Sequence, residues 1–176
     1  QGKKGRYGVI GLGTGSLACS AQEGEAWRYF EIDPVVVKIA SGDEHFTFML
    51  NCMPKPDIKI GDARLTMAKE PDGSYDLIVV DAFSSDAVPV HLMTAEARKL
   101  YQSKLTPDGV LLLHISNRYL DLDAVLAATV KLVPGLTGFV LGDDEADGSY
   151  SQSSSSVALF ARSAETLAPY RGLATL

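Results

Sequence analysis

Short apolar, β-rich runs alternate along this chain with stretches of helical pattern, and that alternation most constrains the fold. The runs Leu77-Ile-Val-Val80 and Val110-Leu-Leu-Leu113 are continuously apolar. A strand reads this way when crossover helices cover both of its faces, as in a parallel sheet. The pattern predicts strands over Tyr7–Gly11, Ala26–Ile32, Ile58–Ile60, Tyr75–Asp81, Val110–Ile115, Thr137–Leu141 and Val157–Arg162. Helices are predicted near Ser16–Ala21, Pro34–Ala40, Ala63–Lys69, Thr94–Ser103 and Asp121–Leu132.

Punctuation agrees with this order. Pro34 suits a first helical turn, with Asp33 as its cap. Thr94 and Asp121 are further N-cap candidates, and Pro107-Asp-Gly109 reads as a turn into the fifth strand. No helix-length pattern separates the last two strands, so an antiparallel hairpin is expected across the acidic, Ser-rich stretch Gly142–Ser156. That stretch has too few apolar groups to order itself and is expected to be mobile. At 176 residues with no internal repeat or dividing linker, the chain reads as one doubly wound α/β domain over residues 1–176. It starts at Gln1 rather than Met, which leads us to expect a fragment.

Composition narrows function by exclusion. Sixteen basic against twenty-two acidic residues give a net charge of −6, with no Lys/Arg cluster, so no nucleic-acid surface is expected. No apolar run reaches the roughly 18 residues that span a bilayer, and no signal peptide is recognisable. Cys19 and Cys52 are expected to be reduced and mostly buried thiols. The three histidines, His45, His91 and His114, lack metal-site spacing, so no metal is expected.

Ligands of an open parallel sheet sit beyond the carboxyl ends of its strands. There the first strand is followed by Gly11-Leu-Gly13-Thr-Gly15, a turn that brings backbone close to a ligand. Glu31 ends the second strand, where an acid accepts hydrogen bonds from ribose hydroxyls or is merely a solvated carboxylate. Asp62, with Ala63, follows the third strand and suits either an adenine amine or a helix cap. Asp81 ends the fourth strand and Asp86 follows on the same loop; taken alone they are equally readable as turn aspartates. His114, Asn117 and Arg118 could reach the cleft rim or be a satisfied strand-end histidine with a surface Arg, and His91 is equally undecided. Trp27, Phe46 and Phe48 read as packing rather than stacking platforms.

As a set, several motifs resemble the spermidine synthase family, aminopropyltransferases built on the class I methyltransferase fold. They are Gly11-Leu-Gly-Thr-Gly15, Tyr29-Phe-Glu-Ile-Asp-Pro34, Gly61-Asp-Ala-Arg64, Tyr75-Asp-Leu-Ile-Val-Val-Asp81 and Pro107-Asp-Gly-Val110. The stretches Asp81-Ala-Phe-Ser-Ser-Asp-Ala-Val-Pro-Val-His-Leu92 and His114-Ile-Ser-Asn-Arg-Tyr-Leu-Asp121 resemble the branch in which such a domain follows transmembrane helices. The likeness spans about residues 6 to 162.

The resemblance implies a Rossmann-like sheet, mostly parallel, with a C-terminal antiparallel hairpin. It implies a transferase of polyamine biosynthesis, with S-adenosylmethionine or its decarboxylated form as co-substrate and no metal. Gly11, Gly13 and Gly15 would hold the aminopropyl or amino-acid end, Glu31 the ribose, and Asp62 with Ala63 the adenine. Asp81 matches the catalytic aspartate, and Asp86 the aspartate that binds the amine substrate. A cytoplasmic domain is implied, tethered to the inner membrane if the branch holds, with a homodimer allowed. Thr14 stands where the family has an Asp, the aspartate loop is two residues longer than usual, and the family's N-terminal β-strand domain is missing before Tyr7. These departures keep two alternatives open: a small-molecule methyltransferase, and a non-catalytic nucleoside-binding module of a membrane protein. A nicotinamide-dependent dehydrogenase would leave Asp62 and the aspartate loop without a task.

Overall fold

In the computed structural model both faces of the central strands are covered, which explains their unbroken apolar sequence. Residues 4–83, 89–116, 134–143 and 155–172 are described. They form strands β1 (Arg6–Ile10), β2 (Ala26–Glu31), β3 (Asp57–Ile60), β4 (Tyr75–Val80), β5 (Leu105–His114), β6 (Thr137–Asp143) and β7 (Ser155–Ala161). The helices are α1 (Pro34–Ser41), α2 (Phe48–Cys52), α3 (Ala63–Ala68), α4 (Ala95–Lys104) and α5 (Ala164–Arg171). Tight 3-10 turns occupy Ser16–Ser20 and Val90–Leu92. Across the sheet the order is β3-β2-β1-β4-β5-β7-β6. β1 to β5 are parallel, and β7 runs antiparallel to both β5 and β6. The expected hairpin is therefore present. The helix expected over residues 121–132 and the loop residues 144–154 lie outside the described residues.

Side chains alternate between two apolar layers. Ile10, Phe30, Ile78, Val80, Leu111 and Leu113 pack with Met67, Ala97 and Tyr101 on the face covered by α3 and α4. Val9, Tyr29 and Val79 pack with Ala18, Ala40 and Met49 on the other. Each such aliphatic side chain, fully buried, contributes about 1.5–3 kcal/mol. Asp33 caps α1 by accepting from Val35 N at 2.8 Å, and Thr94 caps α4 by accepting from Ala97 N at 3.2 Å.

The fifth strand differs from expectation. It begins at Leu105, which pairs with Tyr75, and the register then shifts so that Leu77 faces Val110. Pro107-Asp-Gly109 is thus an irregularity inside a strand rather than a turn before it. A side chain at Gly109 would stand 2.8 Å from the Tyr75 carbonyl oxygen, so the bulge closes against β4. Helices α2 and α5 were not expected, because five and eight residues carry too little apolar period to register.

The cysteines correct the reading of two buried thiols. Cys19 and Cys52 form a disulfide with Cα atoms 4.9 Å apart, and both residues are exposed. It joins the turn after the glycine loop to α2. Closing a loop with a sequence separation of 33 restricts the unfolded chain by about 3–4 kcal/mol in the chain-entropy account. Cys19→Ser is accordingly expected to lower the melting temperature by several degrees under non-reducing conditions, and to remove the effect of added dithiothreitol. An unchanged melting temperature would show that the bond does not brace the native fold.

Candidate functional site

The strand order reverses between β1 and β4, and a crevice at that switch point is where such sheets hold ligands. Here it is a cavity of about 550 Å³. Its walls come from the ends of β1, β2 and β4, the start of α3 and the Val90–Leu92 turn. Apolar surface is supplied by Ile10, Phe30, Ile32, Val36, Phe83 and Leu92.

Four carboxylates, Glu31, Asp33, Asp62 and Asp81, line the cavity, and among the described residues no Lys or Arg does. Such a lining selects cations and repels phosphate.

The glycine loop is held from two sides. Gly11 N donates to Phe30 O at 2.9 Å, which continues the β1–β2 ladder past the strand end. Its φ of +96° belongs to the region that favours glycine, and any side chain there would meet the Asp81 carbonyl. Gly13 also lines the cavity, whereas Gly15 does not. Gly15 turns the chain into Ser16–Ser20 with φ +79°, and a side chain there would run into Met49.

Glu31 is only 8% exposed. Its Oε2 accepts from Leu12 N and its Oε1 from Asp33 N, both at 2.9 Å. The carboxylate thus ties the glycine loop to the end of β2, and each oxygen keeps a lone pair for a ligand. Glu31→Ala leaves the Leu12 N–H without its acceptor, a loss of about 1–3 kcal/mol. Thermal unfolding should report it, with Glu31→Gln intermediate; equal melting temperatures for all three proteins would disprove the strut role.

Asp62 meets both of its expected descriptions in part. Oδ1 accepts from Arg64 N at 2.9 Å and Leu65 N at 3.1 Å, capping α3. Oδ2 stands 3.4 Å from His91 Nε2. Ala63 begins α3, buried at 7%, on the cavity wall. His91, undecided from sequence, is therefore a cavity residue. Its turn is fixed by Tyr101, whose hydroxyl donates to Leu92 O at 3.2 Å. Burial pushes the Tyr101 hydroxyl's pKa up, which favours the protonated, donating form.

Asp81 follows β4 directly, its N–H donating to Ile10 O at 2.8 Å. Oδ1 meets His114 Nδ1 at 2.7 Å, and the Phe83 ring packs edge-on against the imidazole at 4.7 Å. His114 Nε2 is in turn 2.8 Å from Ser116 Oγ. Sequence reading left His114 undecided between the cleft rim and a satisfied strand-end histidine, and passed over Ser116. The only available signal was their i, i+2 spacing, which places both on one side of extended chain. Asp86, Asn117 and Arg118 lie outside the described residues. Trp27 packs partly buried in the core as expected, while Phe48 is 40% exposed.

No protein-family profile matches the chain. A polyamine aminopropyltransferase of Vibrio vulnificus is 34% identical over 116 residues, or 62% of this chain and 37% of the relative. The chain therefore spans under two fifths of that relative's length. A spermidine synthase crystallised with the transition-state analogue AdoDATO superposes with a TM-score of 0.70 at 18% identity, covering 96% of this chain and 57% of that one. Human methyltransferase-like protein 13, in complex with SAH, gives 0.68 at 21% identity, covering 98% and 80% respectively. In sequence part of the chain is similar to a polyamine aminopropyltransferase, and in structure it shares the Rossmann-like α/β fold of these synthase and methyltransferase structures.

Proposed function

We propose that this domain binds a sulfonium nucleoside of the S-adenosylmethionine type and transfers the aminopropyl group of the decarboxylated form to a diamine. One observation carries the reading: a cavity at the switch point lined by four carboxylates and, among the described residues, by no Lys or Arg. Both reactants are cations, one a sulfonium and the other an ammonium, and this lining attracts both. The sequence likeness to a polyamine aminopropyltransferase supports it.

In this reading Glu31 takes the ribose hydroxyls, Asp62 and Ala63 the adenine, and Gly11, Gly13 and Gly15 shape the loop at the aminopropyl end. Asp81 faces the amine, and Asp86 orients its far ammonium. A diamine arrives protonated, and carboxylates that recruit it also hold its proton on. Asp81 must therefore take one proton as the nitrogen lone pair turns to the carbon beside sulfur. The new C–N bond forms as the C–S bond breaks. The sulfonium leaves as neutral methylthioadenosine, and the nitrogen becomes a secondary ammonium. Holding amine, carbon and sulfur in line supplies the rest of the rate.

Incubation with decarboxylated S-adenosylmethionine and putrescine is expected to release methylthioadenosine, measured chromatographically. Nucleoside binding without product from a panel of amines would overturn transfer in favour of a binding module. The methyltransferase reading is favoured by Thr14, which brings no carboxylate for an aminopropyl ammonium. Tighter calorimetric binding of S-adenosylmethionine than of its decarboxylated form would establish it.

The stretches around Asp81–Leu92 and after His114 support placement in the membrane-fused branch, with this domain on the cytoplasmic side as a monomer or homodimer. Among the described residues no helix is long and apolar enough to cross a membrane. Disulfides are uncommon in a reducing cytosol. Thiol labelling in intact cells tests the cytoplasmic placement through the state of Cys19 and Cys52.

A further inference from the structure

We infer that His114 and Ser116 are positioning residues, forming a hydrogen-bond line of fixed direction that aims Asp81 into the cavity. Asp81's catalytic part rests on the function proposed above; the line itself rests on geometry alone.

The direction follows from its two ends. At one end the Ser156 backbone N–H donates to Ser116 Oγ at 2.8 Å. A backbone N–H can only donate, so the Ser116 hydroxyl hydrogen is left to point elsewhere. Among the described residues the acceptor within reach is His114 Nε2, at 2.8 Å. At the other end a carboxylate, which only accepts when ionised, meets His114 Nδ1 at 2.7 Å. A neutral imidazole satisfies both ends in one tautomer, with hydrogen on Nδ1 and a lone pair on Nε2. The reverse tautomer sets a lone pair against Asp81 Oδ1 and loses that bond, while its Nε2–H can still donate to Ser116 Oγ, so it is the Asp81 end that selects the tautomer.

Three strands hold the line. Asp81 follows β4, His114 ends β5, and Ser156 lies in β7, where Ile115 N also donates to Ser156 O at 2.9 Å. His114 pairs with Val157 in the antiparallel ladder, so the C-terminal hairpin sets where Ser116 finds its donor. Phe83 closes on the imidazole edge-on. His114 stands behind Asp81, outside the cavity wall, with its side chain 29% exposed. The other charged or titratable groups on that wall are Glu31, Asp33, Asp62 and His91.

The consequence for Asp81 is a division of labour between its oxygens. Oδ1 accepts from His114 Nδ1, which fixes the plane of the carboxylate. Oδ2 has no partner among the described residues and is the oxygen available to an ammonium. Without the line the carboxylate rotates freely, and loss of alignment of this kind costs roughly a hundredfold in rate.

Two measurements test this. The first is ring-nitrogen NMR of protein labelled in histidine. At neutral pH the His114 hydrogen should reside on Nδ1; Ser116→Ala should move the Nε2 resonance by removing its hydrogen bond, and Ser116→Thr should leave it in place. Hydrogen on Nε2 in the unmodified protein, or no response to Ser116→Ala in protein of unchanged circular dichroism, overturns the line. The second is turnover. His114→Ala should lower kcat roughly tenfold to a hundredfold with the nucleoside Kd unchanged. His114→Asn, which keeps a donor near the Nδ1 position, should recover most of the loss. Equal kcat for His114→Ala and unmodified protein, or failure of Asn to do better than Ala, removes the positioning role. If the unmodified protein releases no methylthioadenosine, the proposed reaction falls, while the nitrogen spectra still decide the line.

Discussion

Asp81→Asn is expected to reduce methylthioadenosine release by about 10²–10⁴-fold, the range of a lost general base, with nucleoside affinity held within a few-fold. The substitution is sharp because the structure separates the two oxygens. The Asn amide oxygen can still accept from His114 Nδ1, so the bond at 2.7 Å and the fold around it persist. The amide NH2 then replaces the oxygen toward the cavity, and it can neither accept a proton nor attract an ammonium. Asp62, Glu31 and the glycine loop are untouched, so the nucleoside should still bind, as calorimetry would show. Turnover by Asp81→Asn equal to that of the unmodified protein would remove the base from the mechanism. A parallel loss of nucleoside binding would instead place Asp81 in the nucleoside site.

Gly11→Ala should produce the second largest effect, on stability and on ligand binding together. At φ +96° an L side chain is strained, and its Cβ would meet the Asp81 carbonyl oxygen, with the Asp81 carbonyl carbon at 2.8 Å and Ala82 Cα at 3.0 Å. These neighbours are backbone, which cannot rotate away. The strain alone is about 1–3 kcal/mol, and relief requires β1 and β4 to part where they carry the two halves of the site. We expect a clear fall in melting temperature and at least tenfold weaker nucleoside binding, or about 1.4 kcal/mol. Gly13→Ala is the control. Gly13 has φ +52° but nothing within 4 Å of an added Cβ, so only the conformational term applies. Equal melting temperatures for the two variants would show that β1 and β4 are not in contact through Gly11.

Much of the frame was legible because its causes are local. An unbroken apolar run reports two covered faces, as Ile78 and Val80 against Val79 bear out. Asp33, Asp62 and Thr94 cap helices through N–H groups two or three residues away. The hairpin of β6 and β7 was foreseen because the linking stretch could not make a crossover helix. What was missed depended on distant partners. Leu105 belongs to β5 only because Tyr75 lies beside it. Cys19 and Cys52 were read as separate thiols because nothing in their spacing announces that α2 folds back over the turn at Ser16–Ser20.

The candidate site divides along the same line. Its acidic residues and glycines were recognisable individually, each at a strand end whose position follows from local pattern. Which oxygen of Asp62 caps and which faces His91, and that Glu31 braces Leu12, required coordinates. So did the link from Asp81 through His114 to Ser116.

By itself the sequence determined the class of sheet, the strand ends where a crevice opens and the acidity gathered there. Periodicity and capping act within a few residues, so they survive being read in one dimension. The tertiary structure alone decided the pairings: disulfide partner, strand bulge, and the direction of the hydrogen bonds that aim Asp81. Those depend on groups 30 to 40 residues apart being brought within bonding distance, and only the assembled sheet does that.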